Sequence, residues 1–200
     1  TEVPDAPVRV YIGPTNYSEQ GWRWGRALEA ADPRISARNM SLEIPGTFAF
    51  RADSSVPLVV QSGSRAWREA EYAAVTSFTH VLFEAERTLF GPLFARDLRR
   101  EQAALERAGV SVAFMAHGTD VRSPSRHREL TPWSPFTGDD LPTERLQADA
   151  DANIAILERA GRPLFVSTPD LLNDVPSAMW CPVVVDPAEW SSDRPVADAE

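Results

Sequence analysis

Short runs of β-branched and aromatic residues alternate with helically spaced segments along most of the chain, and this alternation constrains the fold more than any other feature. PVRVYIG closes at Gly13 and reads as a buried strand. SEQGWRWGRALEAAD follows with Trp24, Leu28 and Ala31 on one face, and Ser18 is placed to cap its start. Residues 35–44 alternate weakly and read as a second strand, VPLVVQ as another, and RAWREAEYAAV as a helix. THVLFEA at 79–85 is a clear strand, and ARDLRREQAALERAG, closed by Gly109, is the strongest helix. VSVAFMA is the next strand. Residues 122–142 hold Pro124, Pro132, Pro135 and Pro142 and read as one long loop, a lid or a disordered stretch. Its Trp133 and Phe136 are expected to pin it to the body rather than to stack on sugar rings. Thr143 is placed to cap a helix in which Leu146, Ala150, Ile154 and Leu157 recur, closed by Gly161. PLFVST reads as a strand, PDLLNDV as a short helix, MWCPVVVD as a last short strand and PAEW as a turn. The expectation is an α/β fold: a Rossmann-like three-layer sandwich with a mostly parallel central sheet, formed by residues 1–190, with 191–200 as a polar linker.

Composition narrows the function. The 200 residues carry a net charge of −9, so the chain is a poor binder of phosphate backbones, and no nucleic-acid partner is expected. Every basic residue is Arg, so a cationic side chain contacting an anion does so through a planar guanidinium. Asp139, Asp140, Glu144, Asp149 and Asp151 lie close together and read as a solvated face. One cysteine, Cys181, excludes an internal disulfide framework and a zinc cluster. No apolar run is long enough for a membrane span and no signal peptide is visible, so a cytoplasmic location is expected.

In open parallel sheets, ligands sit beyond the carboxyl ends of the strands. That rule puts GPTNYSEQG after the first strand, HGTDVR after the fourth and STPD after the fifth on one rim, counting well-defined strands. The first loop lacks the G-x-G-x-x-G spacing of a dinucleotide site and is not a P-loop, which weakens a nicotinamide dehydrogenase. It is a strand, a polar turn and a helix start, able to take an anion or a sugar hydroxyl on backbone N–H groups. Asn16, Tyr17, Ser18 and Gln20 add neutral donors and acceptors suited to a polyhydroxylated ligand; an ordinary turn capped by Ser18 explains the same residues. His117, at a strand's carboxyl end, fits a base, an acid or a phosphate partner, and fits equally a structural imidazole bonded to a carbonyl. Gly118 permits close backbone approach, and Asp120 and Arg122 can pair with one another or reach a ligand. His80 begins its strand, away from the rim. Metalloprotease and serine-hydrolase motifs are absent.

RVYIGPTNYSEQGWRWGRALE, MAHGTDVRSPSRHRELTPWSPF and LFVSTPDLLNDVPSAMWCPVVVDPAEW together resemble the N-terminal half of bacterial GT-B glycosyltransferases of the large family-four-like type, over most of residues 8–190. The most specific pieces are HGTDVR followed by RHRELTPWSPF, then VSTPDLL with WCPVVVD. The resemblance implies one of two Rossmann-like domains facing across a cleft, here the one that mainly holds the acceptor, whether glycan, lipid or small metabolite. The nucleotide-sugar donor is held mainly by the other domain, no cofactor or metal is implied, and VVVD at 183–186 leads toward that domain. His117 is then the catalytic residue near the transferred sugar. Gly13, Thr15, Asn16, Tyr17 and Ser18 line the cleft with Gly118, and Asp120 and Arg122 support the His117 loop. The carboxylate-rich donor motif has no counterpart in these residues, so the chain is expected to be inactive on its own. The alternative is a stand-alone Rossmann-like module that binds a ligand or partner without catalysis.

Overall fold

Tyr11 and Ile12 are adjacent in sequence, both fully buried, and belong to different apolar clusters. Successive strand side chains point to opposite faces, so this pair marks a sheet with a core on each side. In the computed structural model, which describes residues 1–138 and 140–190, the chain forms an α/β sandwich around one seven-stranded sheet. The elements run β1 (Val8–Gly13), α1 (Gln20–Ala31), β2 (Ile35–Glu43), β3 (Ser54–Pro57), α2 (Leu58–Gly63), α3 (Arg65–Val75), β4 (His80–Glu84), α4 (Leu98–Arg107), β5 (Ser111–Ala116), α5 (Pro124–Leu130), α6 (Thr143–Ala160), β6 (Leu164–Val166) and β7 (Met179–Trp180). The strand order is β3-β2-β1-β4-β5-β6-β7, and every neighbouring pair is parallel. This is a Rossmann-like three-layer arrangement, and the chain direction across the sheet reverses between β1 and β4.

The larger core packs Tyr11, Phe83, Phe114 and Val166 of the sheet against Val75 of α3, Leu98 and Leu105 of α4 and Leu157 of α6. Each such side chain contributes about 1.5–3 kcal/mol by burial. The smaller core, on the α1 face, joins Ile12, Trp24 and Met115. Beside it an apolar trough of about 1080 Å³ runs along β1, β4, β5 and β6, bounded by α1 and by Cys181, Pro182 and Val184. The helices start on side-chain caps where the sequence supplies them. Ser64 accepts from Trp67 N at 3.2 Å, and Asp97 accepts from Arg99 N and Arg100 N at 3.0 and 3.3 Å.

Several expectations change. VPLVVQ is not one strand: Pro57 has no N–H to give the sheet, the edge strand stops there, and Leu58–Gly63 turns helical. With that extra strand, HGTDVR follows the fifth strand and STPD the sixth. The segment 122–142 is not a bare loop. Ser123 caps α5 with Pro124 in its first turn, and Ser134 opens a 3₁₀ turn over Pro135–Thr137 by accepting from Phe136 N at 3.3 Å. Both Ser-Pro pairs start helices, since a proline's fixed φ and missing N–H suit a first turn. Phe136 is buried and packs on His127 within this same segment, whereas Trp133 is 89% exposed and pins nothing. Ser18 does not cap α1; the position before the helix is Glu19, and Trp22 N instead donates to Asn16 Oδ1 at 3.0 Å. Thr143 is the first residue of α6, with its hydroxyl turned back to Leu141 O. The last strand is two residues long. The linker from Ser191, and Asp139, lie outside the described residues.

Candidate functional site

Strands β1, β4, β5 and β6 all end at the same rim, so Gly13, Glu84, Ala116 and Val166 bring their following loops together. These loops and the start of α6 enclose a cleft of about 960 Å³. Tyr17, Ser18 and Gln20 form one wall, Ala85, Glu86 and Arg87 the floor, and His117, Gly118, Thr119 and Asp120 a second wall. Arg145, Asp149 and Asn153 of α6 close the far side. Left-handed backbone at non-glycine residues gathers here: Asn16, Ser18 and Glu19 after β1, and Ala85 and Glu86 after β4. Each such residue costs of order 1–3 kcal/mol and persists only where its surroundings impose it.

His117 is the centre of the wall. Its side chain is 9% exposed, edge-on to the Tyr17 ring at 5.2 Å and stacked against Trp24 at 5.7 Å. Nε2 lies 3.3 Å from Oε1 of Glu84, whose side chain is fully buried. The loop carrying His117 is fastened by Asp120, whose carboxylate accepts from the backbone N–H of His117 at 2.7 Å and from that of Gly118. Ser167 Oγ donates to His117 O at 3.1 Å, and Asn153 Nδ2 donates to Asp120 O at 2.8 Å. Glu86 sits against Asp120, and burial, then the neighbouring Asp120 carboxyl, hold its carboxyl well above the usual carboxylate range. A proton held on Glu86 relieves the repulsion between the two neighbouring carboxyls.

The sequence-read residues divide. Tyr17, Ser18, His117, Gly118 and Asp120 border the cleft. Gly13, Thr15 and Asn16 stand behind it. Gly13 packs so closely that a Cβ there would lie 2.8 Å from Met40 O. Asn16 is buried and bridges the loop, donating to Arg51 O at 2.8 Å and accepting from Trp22 N. Arg122 does not line the cleft; its guanidinium lies beside Gly118 and donates twice to Asp170 Oδ2, at 2.7 and 3.0 Å. The VVVD segment lies across the start of α1: Val184 N donates to Gln20 Oε1 at 2.7 Å and Trp24 Nε1 to Pro182 O at 3.0 Å. Sequence reading missed Glu84 and Glu86. Glu84 is the last residue of β4 and Glu86 lies two residues beyond it, so the end-of-strand rule that singled out His117 also points to them.

Among the described residues no group of three or more His, Cys, Asp or Glu side chains is placed to hold a metal. No described helix is long and apolar enough to cross a membrane. No family model matches the chain, and no curated protein matches it.

Proposed function

We propose that this α/β unit is the acceptor-binding side of a glycosyltransferase that moves a sugar from a nucleotide-sugar to a hydroxyl-bearing acceptor. The observation that carries the reading is the wall around His117: an imidazole held between the buried Trp24 ring and the exposed Tyr17 ring, in a cleft at the strand ends next to the sheet's switch point, whose lining mixes Ser18, Gln20, Thr119 and Asn153 with the charged Glu86, Arg87, Asp120, Arg145 and Asp149. Such a wall suits a sugar ring, whose apolar face rests on an aromatic such as Tyr17 and whose hydroxyls take hydrogen bonds from amide, hydroxyl and carboxylate groups. The motif resemblance over residues 8–190 points the same way, and assigns the nucleotide-sugar mainly to a second domain. On this reading His117 is the catalytic residue at the transferred sugar, Asp120 keeps its loop in place, and no cofactor or metal takes part. The acceptor is a glycan, a lipid headgroup or a small metabolite.

Titration of the chain with methyl α-D-glucopyranoside, followed by NMR of His117, Tyr17 and the Trp24 indole, tests this. The glycoside is expected to move these resonances saturably in the millimolar range, a value typical of one sugar unit, near −4 kcal/mol. NAD is expected to leave them unmoved. Saturable NAD binding at the first loop, with no response to glycosides, would replace the reading with a dinucleotide site.

A further inference from the structure

We propose that Glu84 is a positioning residue that selects which nitrogen of His117 faces the cleft, making Nδ1 an acceptor for a ligand hydroxyl. The ligand class rests on the carbohydrate reading above. The tautomer is a separate matter and is measurable with no ligand.

Two buried glutamates in this fold behave differently. Glu101 is satisfied as a structural carboxyl usually is: its oxygens accept from Leu89 N at 2.8 Å and Phe90 N at 3.0 Å. Glu84 is equally buried, yet both its oxygens are sealed from solvent with no hydrogen-bond partner among the described residues. A buried carboxyl held without partners costs several kcal/mol, and a purely structural position would be better filled by an apolar residue. The one basic group placed within ion-pair distance of it, among the described residues, is His117 Nε2.

The surroundings hold both groups to that meeting. Glu84 is in register with Met115, two residues before His117, so the sheet itself sets their separation. Its oxygens lie 2.9 and 3.0 Å from where a Cβ on Gly21 would stand, in the first turn of α1 and at the positive end of that helix's dipole. On the other side, the Tyr17 and Trp24 rings restrict the imidazole's rotation. Nε2 is sealed in; among the described residues Nδ1 has no hydrogen-bond partner, and it is not sealed.

A neutral imidazole carries one N–H. A carboxyl oxygen of Glu84 that accepts from Nε2–H keeps the ring proton on Nε2 and leaves the Nδ1 lone pair toward the cleft. That lone pair takes a hydrogen bond from a hydroxyl, and has nothing to offer a carbonyl or an ether oxygen. At 3.3 Å the two groups are within ion-pair distance but not aligned as a hydrogen bond, and contacts at such sites often align only when a ligand tightens them.

Imidazole ¹⁵N NMR of the chain, at a pH where the ring is neutral, decides the matter. Wild type is expected to show His117 with its proton on Nε2. Glu84→Gln is expected to keep that tautomer, because the amide oxygen still accepts. Glu84→Leu is expected to release it to a mixture and to weaken methyl α-D-glucopyranoside binding about tenfold, the loss of one oriented hydrogen bond. A wild-type ring with its proton on Nδ1, an imidazolium that persists at pH 8, or a tautomer unmoved by Glu84→Leu would overturn the assignment. The wild-type spectrum speaks first, so the outcome does not depend on a variant folding. The expected tautomer in a chain whose His117 ignores glycosides would count against the carbohydrate reading and not against Glu84.

Discussion

Stability is expected to fall by roughly 5 kcal/mol as pH rises from about 4.5 to about 8, and Glu101→Gln is expected to remove most of that fall. Burial raises the Glu101 carboxyl to about 8, outweighing the backbone N–H groups of Leu89 and Phe90 that pull it down. In the unfolded chain the same group ionises near the usual 4.5. Between those values the folded state holds a proton that the unfolded state has lost, so stability declines with pH across the window and is level above it. Gln cannot ionise, which flattens the curve. The slope that remains belongs in part to Glu86, whose carboxyl is also raised, by burial first and then by Asp120. Urea unfolding of wild type and Glu101→Gln at half-unit steps from pH 5 to pH 9 checks the prediction, and parallel curves would contradict it. Because Glu101 braces the Leu89–Phe90 backbone behind the cleft floor, the same titration is expected to loosen the loop after β4 at high pH.

Gly21→Val is the second large effect, with an expected loss of about 3 kcal/mol. A glycine in the first turn of a helix normally gives up nearly 1 kcal/mol to alanine, so propensity alone predicts that a side chain here would stabilise α1. Packing overrides it. A Cβ at Gly21 would stand 2.6 Å from Asn39 Nδ2 and 2.9 and 3.0 Å from the Glu84 oxygens. Asn39 cannot yield easily, since it is buried and donates to Ile12 O at 3.2 Å. Glu84 can yield only by moving relative to His117. Gly21→Val is therefore expected to lower the melting temperature and to disturb the His117 ring resonances together. Gly63→Ala, at the end of α2 with open space around it, is expected to be neutral or slightly stabilising. Equal effects from the two substitutions would show that the crowding at Gly21 is not what holds the pair.

The layered α/β architecture was legible because strand and helix periodicities are local. PVRVYIG, RAWREAEYAAV and VSVAFMA each carry their element's pattern whole, and RAWREAEYAAV coincides with α3. What was not legible depended on backbone chemistry at single residues. Pro57 divides VPLVVQ between a strand and a helix, and Pro124 and Pro135 open helical turns where proline density suggested a loop. The site was half legible. The position of HGTDVR at a strand end brought out His117, Gly118 and Asp120, all of which border the cleft. The carboxyl behind the imidazole was hidden: Glu84 is 33 positions upstream in sequence, and only the β4–β5 register sets it beside the ring. Asn16 and Ser18 show the converse. Both look like ligand groups or caps, but Asn16 is spent on Arg51 O and Trp22 N, and Ser18 caps nothing although it borders the cleft.

The central claim is that the wall around His117 works on a sugar. Its most direct test is transfer from a nucleotide-sugar to a glycoside acceptor by the protein that carries this unit together with its donor side, in wild type and His117→Ala. The account predicts a fall in kcat of at least about 100-fold, the range for a group acting at the reacting centre, with folding stability changed by only about 1–2 kcal/mol. A variant that turns over at the wild-type rate, or one whose activity falls only in proportion to its lost stability, would contradict it.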